Sequence, residues 1–318
     1  MNAILKYLMP KKIVFVFSLL ISICSTTYGQ QKAMYTQYMF NGMAINPAYM
    51  AMDEMLAITT LTRHQWVGFE GAPNTQTASM HTPFKTSNTF YGVILTRDNI
   101  GKVLTETGGN LALSHRLRIG DVSWLSLGIN GGVSRYEATY SQLNSGSISG
   151  ANFDGTFNDD RQNRLNLGMG LMFFNKKYYF GVSAPHFYYR NFSDPQRNYA
   201  PTAYRPHFMM QTGAIFKIDS DLKLRPSILV KYVDGSPIQF DINTNLFIKD
   251  KFIFGTSYRY LDSFSLLASA FITETILFGY SYDIPNFSNQ NTAYKGSHEL
   301  MLQFRLPVKG RDPLACFF

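Results

Sequence analysis

Little in this sequence is arranged for covalent chemistry. The histidines His64, His81, His115, His186, His207 and His298 are scattered, and no pair has metal-ligand spacing. Asp154, Asp159 and Asp160 do not follow a calcium loop and read as a solvated acidic stretch. No serine stands in a nucleophile elbow, and no Ser/His/Asp arrangement can be argued. The sequence therefore predicts no enzyme, no metal and no cofactor. What remains is binding chemistry, in two stretches. The first is Tyr35–Tyr49, where the aromatic and apolar Tyr38, Met39, Phe40, Pro47 and Tyr49 can pack while Asn41 and Asn46 can hydrogen-bond. The second is Arg63-His64-Gln65-Trp66, in which Arg63 and Gln65 share one face of a strand.

Those residues need a scaffold, and the composition restricts which one. Of 318 residues, 45% are hydrophobic and 15% aromatic, but only 16% are charged, below the usual quarter of a soluble domain. The net charge of +8 is spread along the chain and leaves no nucleic-acid footprint. Residues 1–29 read as a signal peptide, with Lys6, Lys11 and Lys12 ahead of the apolar run Ile13–Ile23 and small residues at Thr27 and Gly29. The run is too short to span a bilayer as a helix. A lipoprotein signal ending at Cys24 is disfavoured by the bulky Ile23. Cleavage after Gly29 leaves Cys316 alone, so no internal disulfide is expected, and Cys316 reads as a free or packed tail thiol.

The body of the chain alternates with period two. Ile238, Phe240 and Ile242 oppose Gln239, Asp241 and Asn243, and Leu165, Leu167, Met169 and Leu171 oppose Asn166, Gly168 and Gly170. We expect 14 antiparallel strands between Leu56 and Leu306, among them Leu56–Trp66, Ser123–Tyr136, Arg164–Phe174, Tyr178–Ala184 and Phe208–Lys217. The apolar sides end in Trp66, Trp124, Tyr136, Tyr232, Tyr258, Tyr260 and Tyr282, which suits two membrane boundaries. The opposite sides carry Lys223, Arg225, Lys231, Asp241, Arg259, Asp283 and Arg305, which need partners or water. Connections favour a membrane barrel over a soluble sandwich. The long ones, Glu137–Asn163, Pro185–His207 and Ile284–Ser297, are all odd-numbered, whereas the even ones are short. An up-and-down transmembrane β-barrel with both termini in the periplasm predicts that parity. The expected organisation is a leader (1–29), a non-strand N-terminal segment (30–54), a barrel (55–306) and a periplasmic tail (307–318). Trp66 is expected at the outer interface, with Arg63 and Gln65 on the lumen side.

Two motifs now carry a resemblance. Gln37-Tyr38-Met39-Phe40-Asn41 with Ile45-Asn46-Pro47-Ala48-Tyr49, followed by Arg63-x-Gln65-Trp66-x-Gly68-Phe69-x-Gly71-Ala72-Pro73-x-Thr75, resembles the PorP/SprF family. Asp98-x-x-Gly101 and Tyr178–His186 look similar to it too. The resemblance implies an outer-membrane barrel of the type IX secretion system and its gliding-motility relatives. Its implied partners are a secreted surface adhesin or other type IX substrate, periplasmic or outer-membrane components of that machine, and the lipid bilayer. The residues themselves leave a passive pore or small-molecule channel open as the alternative. For Tyr35–Tyr49 the expectation is contact with the lumen, its Tyr and Asn side chains meeting charges such as Arg259 or Asp241. The alternative is a strap that only seals the first strand.

Overall fold

The computed structural model describes residues 34–85, 87–140, 159–191, 205–286 and 295–310. The expected leader, residues 311–318 with Cys316, and most of the three long connections lie outside them. The described residues all belong to one compact unit, Lys32–Phe318.

That unit is a closed antiparallel barrel. Its strands are β1 (Met55–His64), β2 (Asn74–Pro83), β3 (Thr89–Ile100), β4 (Leu104–Arg118), β5 (Ser123–Ala138), β6 (Asp160–Asn175), β7 (Tyr178–Asn191), β8 (His207–Ala214) and β9 (Phe216–Lys217). They continue as β10 (Leu222–Val233), β11 (Gln239–Ile248), β12 (Phe252–Arg259), β13 (Ser263–Phe271), β14 (Ile276–Pro285) and β15 (Ser297–Pro307). Except for β8 and β9, each pairs with its sequence neighbour, and β1 pairs with β15 from Met55↔Pro307 to His64↔His298, closing the wall. β8 and β9 lie end to end along β10 in one register, so the wall has 14 staves as expected. The ladder gap at Ala214 and Ile215 falls opposite Pro226, which has no N–H to give.

Period-two patterning fixes which side meets what. Outward-facing Leu111, Leu127, Ile129, Leu167, Leu171, Phe180, Phe254 and Leu266 are exposed, forming the apolar band that a barrel presents to hydrocarbon. Inward-facing residues are buried, and many are polar. The long connections leave one end of the barrel, hereafter the long-loop end, and the short ones the other, the short-turn end.

Four expectations need correction. Strands β5 and β6 run further toward the long loop than expected, to the pair Ala138↔Asp160, because polar residues in that stretch still alternate across the ladder. Strand β7 continues past Pro185 to Asn191, since a bulge absorbs the proline. Gln65 and Trp66 fall just beyond β1, in a turn where Trp66 takes a left-handed φ of 46°. Trp124 and Tyr136 face inward, where their rings receive the guanidinium groups of Arg116 at 4.4 Å and Arg164 at 4.1 Å.

Candidate functional site: the lumen segment and its two anchors

Residues 34–54 occupy the space inside the wall. Three short 3-10 turns, Tyr38–Phe40, Gly42–Ala44 and Pro47–Met52, carry the chain, and nearly every residue of them is buried. No regular helix forms, since Asn41 and Asn46 break the run and Pro47 bars its preceding residue from the helical region. The Asn46 side chain instead accepts the Ala48 N–H at 2.9 Å, capping the last turn. Two apolar clusters result. Tyr38, Met39, Phe40 and Ile45 pack on Leu229, Phe247, Ile253, Leu267, Leu277 and Met301. Met43, Tyr49, Met50 and Met52 pack on Phe90, Met172, Phe174 and Tyr179. Burying such side chains contributes about 1.5–3 kcal/mol each.

The segment descends from one end of the barrel to the other. Its upper anchor lies near the long-loop end. Arg63 pairs with Asp283 at 2.5 Å and with Glu299 at 3.1 Å. The Glu299 carboxylate also accepts the backbone N–H groups of Thr36 at 2.8 Å and Gln37 at 2.7 Å. The Thr36 hydroxyl donates to Asp283 at 2.9 Å and accepts from Arg63 at 2.8 Å. Beside it Arg259 pairs with Asp241 at 3.1 Å and donates to the Tyr35 carbonyl at 3.3 Å. The Tyr35 hydroxyl meets the Thr77 hydroxyl at 2.7 Å.

Neutral groups hold the middle. Asn243 donates to the Tyr38 hydroxyl at 2.6 Å, Ser79 to the Asn41 side chain at 2.9 Å, Gln303 to the Phe40 carbonyl at 2.9 Å and Ser183 to the Ile45 carbonyl at 2.7 Å. The Tyr49 hydroxyl donates within the segment, to the Met39 carbonyl at 3.3 Å. The lower anchor lies at the short-turn end. Arg305 donates to Asp53 at 3.0 Å, His81 meets the same carboxylate at 3.2 Å, and Arg116 pairs with Glu54 and donates to the Ala51 carbonyl at 3.1 Å.

The sequence-selected residues thus separate. Tyr38, Met39, Phe40, Asn41, Asn46, Pro47 and Tyr49 meet one another and the inner wall, and Arg63 joins them through Thr36. Gln65 and Trp66 do not, being half-buried and exposed in the β1–β2 turn. The charges also act differently from expectation: Arg259 takes a backbone carbonyl, while the Tyr38 and Asn41 side chains bond neutral wall residues. Sequence reasoning missed Glu299, Asp53, Glu54 and Arg116. Glu299 carried a signal, an acid on the inner face of the last strand opposite Arg63 of the first. It also missed the inner-wall glycines. A Cβ on Gly128 would overlap the backbone of Pro47 and Ala48, and one on Gly170 would overlap the Asn46 side chain.

Replacing Asn46 with Ala removes the cap and the bond from its side-chain amide to the Leu171 carbonyl at 3.1 Å. We expect a loss of about 1–2 kcal/mol, read as a lower midpoint of urea unfolding with the barrel intact.

Among the described residues, no three His, Cys, Asp or Glu side chains come together as they would around a metal ion. A cavity of about 100 Å³ lies at the long-loop end, between the segment and the wall.

The family model described as "Type IX secretion system membrane protein PorP/SprF" matches residues 27–304. Comparison with curated proteins finds no match. Among solved structures, the chain is similar to Omp33 of Acinetobacter baumannii at 12% identity, over 81% of this chain and 99% of that one, with a TM-score of 0.44. A Pseudomonas aeruginosa FadL homologue matches at 11% identity over 84% and 94%, with a TM-score of 0.47. Outer membrane phospholipase A from Escherichia coli matches at 13% identity over 78% and 89%, with a TM-score of 0.36.

Proposed function

The chain belongs to the PorP/SprF family of type IX secretion system membrane proteins, and from that premise we propose that it supports the secretion and surface anchoring of a partner protein, such as a large adhesin, rather than solute passage. The observation that carries this reading is the filled lumen. A stave number of 14 encloses room for a channel, yet residues 34–54 take that room, with two apolar clusters and an ionic anchor at each end. A general pore has no use for such a segment. A docking platform does, because a filled barrel is stiff and presents its connections from a fixed rim. In this reading the long-loop end faces outward and the short-turn end faces the periplasm, after removal of the leader at Gly29. The β1–β2 turn with Gln65 and Trp66, the long connections and the periplasmic tail are the working surfaces, and Arg63 couples the first of them to the lumen segment.

Two measurements test this. Affinity purification of the full-length protein in mild detergent is expected to recover a secreted surface protein or periplasmic components of the type IX machine. In planar bilayers the purified barrel is expected to be electrically silent. Recovery of neither class of partner, together with steady ion conductance, would establish the passive channel instead.

A further inference from the structure

The outer apolar band is interrupted on one side of the barrel, in the half nearer the long-loop end. The row of outward-facing residues that starts at Tyr280 on β14 and Leu300 on β15 continues as Thr62, Gln76, Arg97 and Thr107 on β1 to β4. Four polar side chains in succession on a lipid-facing wall are costly unless something satisfies them. Among the described residues, the side chains of Gln76, Arg97 and Thr107 have no hydrogen-bond or ion-pair partner, whereas Arg135, the outward arginine of β5, pairs with Glu137 at 2.9 Å. Arg97 lies just below the β3–β4 turn at Gly101, so its long side chain brings the guanidinium to the edge of the hydrocarbon.

The next row toward the middle of the wall is Leu302, Thr60, Ala78 and Leu95. Thr60 and Ala78 are small between two large neighbours, so a trough runs down the outer face of β1 and β2. Its volume is about 710 Å³, and Phe278 and Leu300 border it on the β14 side. The Thr60 hydroxyl already donates to the Leu302 carbonyl at 3.3 Å, which leaves the floor without a free donor. The trough is therefore amphipathic, with a guanidinium, an amide and a hydroxyl at the long-loop end and an apolar floor beneath them. A guanidinium with neutral donors beside it suits a phosphate, and the floor suits a hydrocarbon chain.

We propose that this trough holds a single phosphate-bearing lipid of the leaflet at the long-loop end, its headgroup on Arg97, Gln76 and Thr107 and one acyl chain on Ala78 and Leu95. The occupant is a lipid and not free phosphate, because the guanidinium stands directly above an apolar trough on the lipid-facing wall. The trough crosses from β15 to β1, so the bound lipid lies over the line where the barrel closes. The site is separate from the secretion role and does not depend on it.

Native mass spectrometry of the full-length protein, released from detergent, reads the occupant directly. The protein is offered palmitoyl-oleoyl phosphatidylglycerol, palmitoyl-oleoyl glycerol with the same chains and no phosphate, or inorganic phosphate. The expected result is a single phosphatidylglycerol retained at least about tenfold more than either of the others. Arg97→Gln, which removes the charge, and Ala78→Trp, which fills the trough below it, are each expected to lower that retention at least about tenfold, while Arg135→Gln leaves it unchanged. Equal retention of the two lipids, retention of inorganic phosphate as strong as that of the lipid, or retention undiminished in Arg97→Gln would overturn the proposal. So would a mass of two copies, or of this chain with a second membrane protein, that is lost in Ala78→Trp while no lipid is bound. If a variant fails to show the heat-modifiable mobility of a folded barrel, Arg97→Lys or Ala78→Phe replaces it, and the wild-type contrast between the two lipids still decides.

Discussion

Valine in place of Gly128, combined with valine in place of Gly170, will push the lumen segment off the wall and turn a silent barrel into a conducting one. These two glycines are directly paired across β5 and β6. They form a flat patch on which the backbone of Pro47 and Ala48 and the amide of Asn46 rest without intervening side chains. A single Cβ there has nowhere to go, because its neighbours are segment backbone and a hydrogen-bonded amide rather than flexible side-chain ends. The β-branched side chain suits the strand itself, so the wall should tolerate the change that the segment cannot. Single-channel recording is the readout. Conductance near baseline in the double variant, with a folded barrel on gels, would mean that the segment can be accommodated elsewhere in the lumen or is not what closes it.

Removing the Glu299 carboxylate is expected to cost more stability than any other single change in the lumen. Glu299→Ala takes one of the two carboxylates from the Arg63 guanidinium, leaving Asp283 and the Thr36 hydroxyl, and it strips the acceptor from two backbone N–H groups at once. Breaking one side of a buried ion pair typically costs about 3–5 kcal/mol. Urea unfolding from vesicles measures this. Arg63→Met in the Glu299→Ala background should recover part of the loss, because the stranded charge goes with it. If the single change costs under about 1 kcal/mol, the upper anchor is solvated and does not hold the segment.

Much of this architecture was legible from alternation alone. Loop parity yields the stave number and the common end of the long connections, because both follow from two-residue periodicity and turn length. The inward direction of Trp124 and Tyr136 was also legible: they share parity with Ser126, Gly128 and Ser134, and only the habit of placing aromatics at membrane boundaries argued otherwise. The course of the lumen segment was less accessible. Its residue types announced packing and hydrogen bonding, but which wall residues it meets depends on how distant strands come round. Thr36 and Glu299 are brought together by closure of the barrel, and nothing local to either predicts it. Gly128 and Gly170 read as ordinary small residues of a polar face until the segment is laid across them. The bulge at Pro185 had a local signal, a proline where alternation continues on both sides, and the strand was ended there too early.

The upper anchor also bears on the order in which the chain reaches its final state. The wall is sealed by pairing Met55–His64 with Ser297–Pro307, the ends of the barrel sequence, so the most non-local strand pairings among the described residues lie along one line. Such pairings are slow to form, and their two strands are bare edges until they do. Thr36 and Gln37 open the segment that leads into the first of these strands, and their amides sit on Glu299 of the last. Arg63 and Glu299 face each other across the same line. The segment that fills the lumen therefore also ties the two edges together, and a chain lacking it has to find its final seam with both edges exposed.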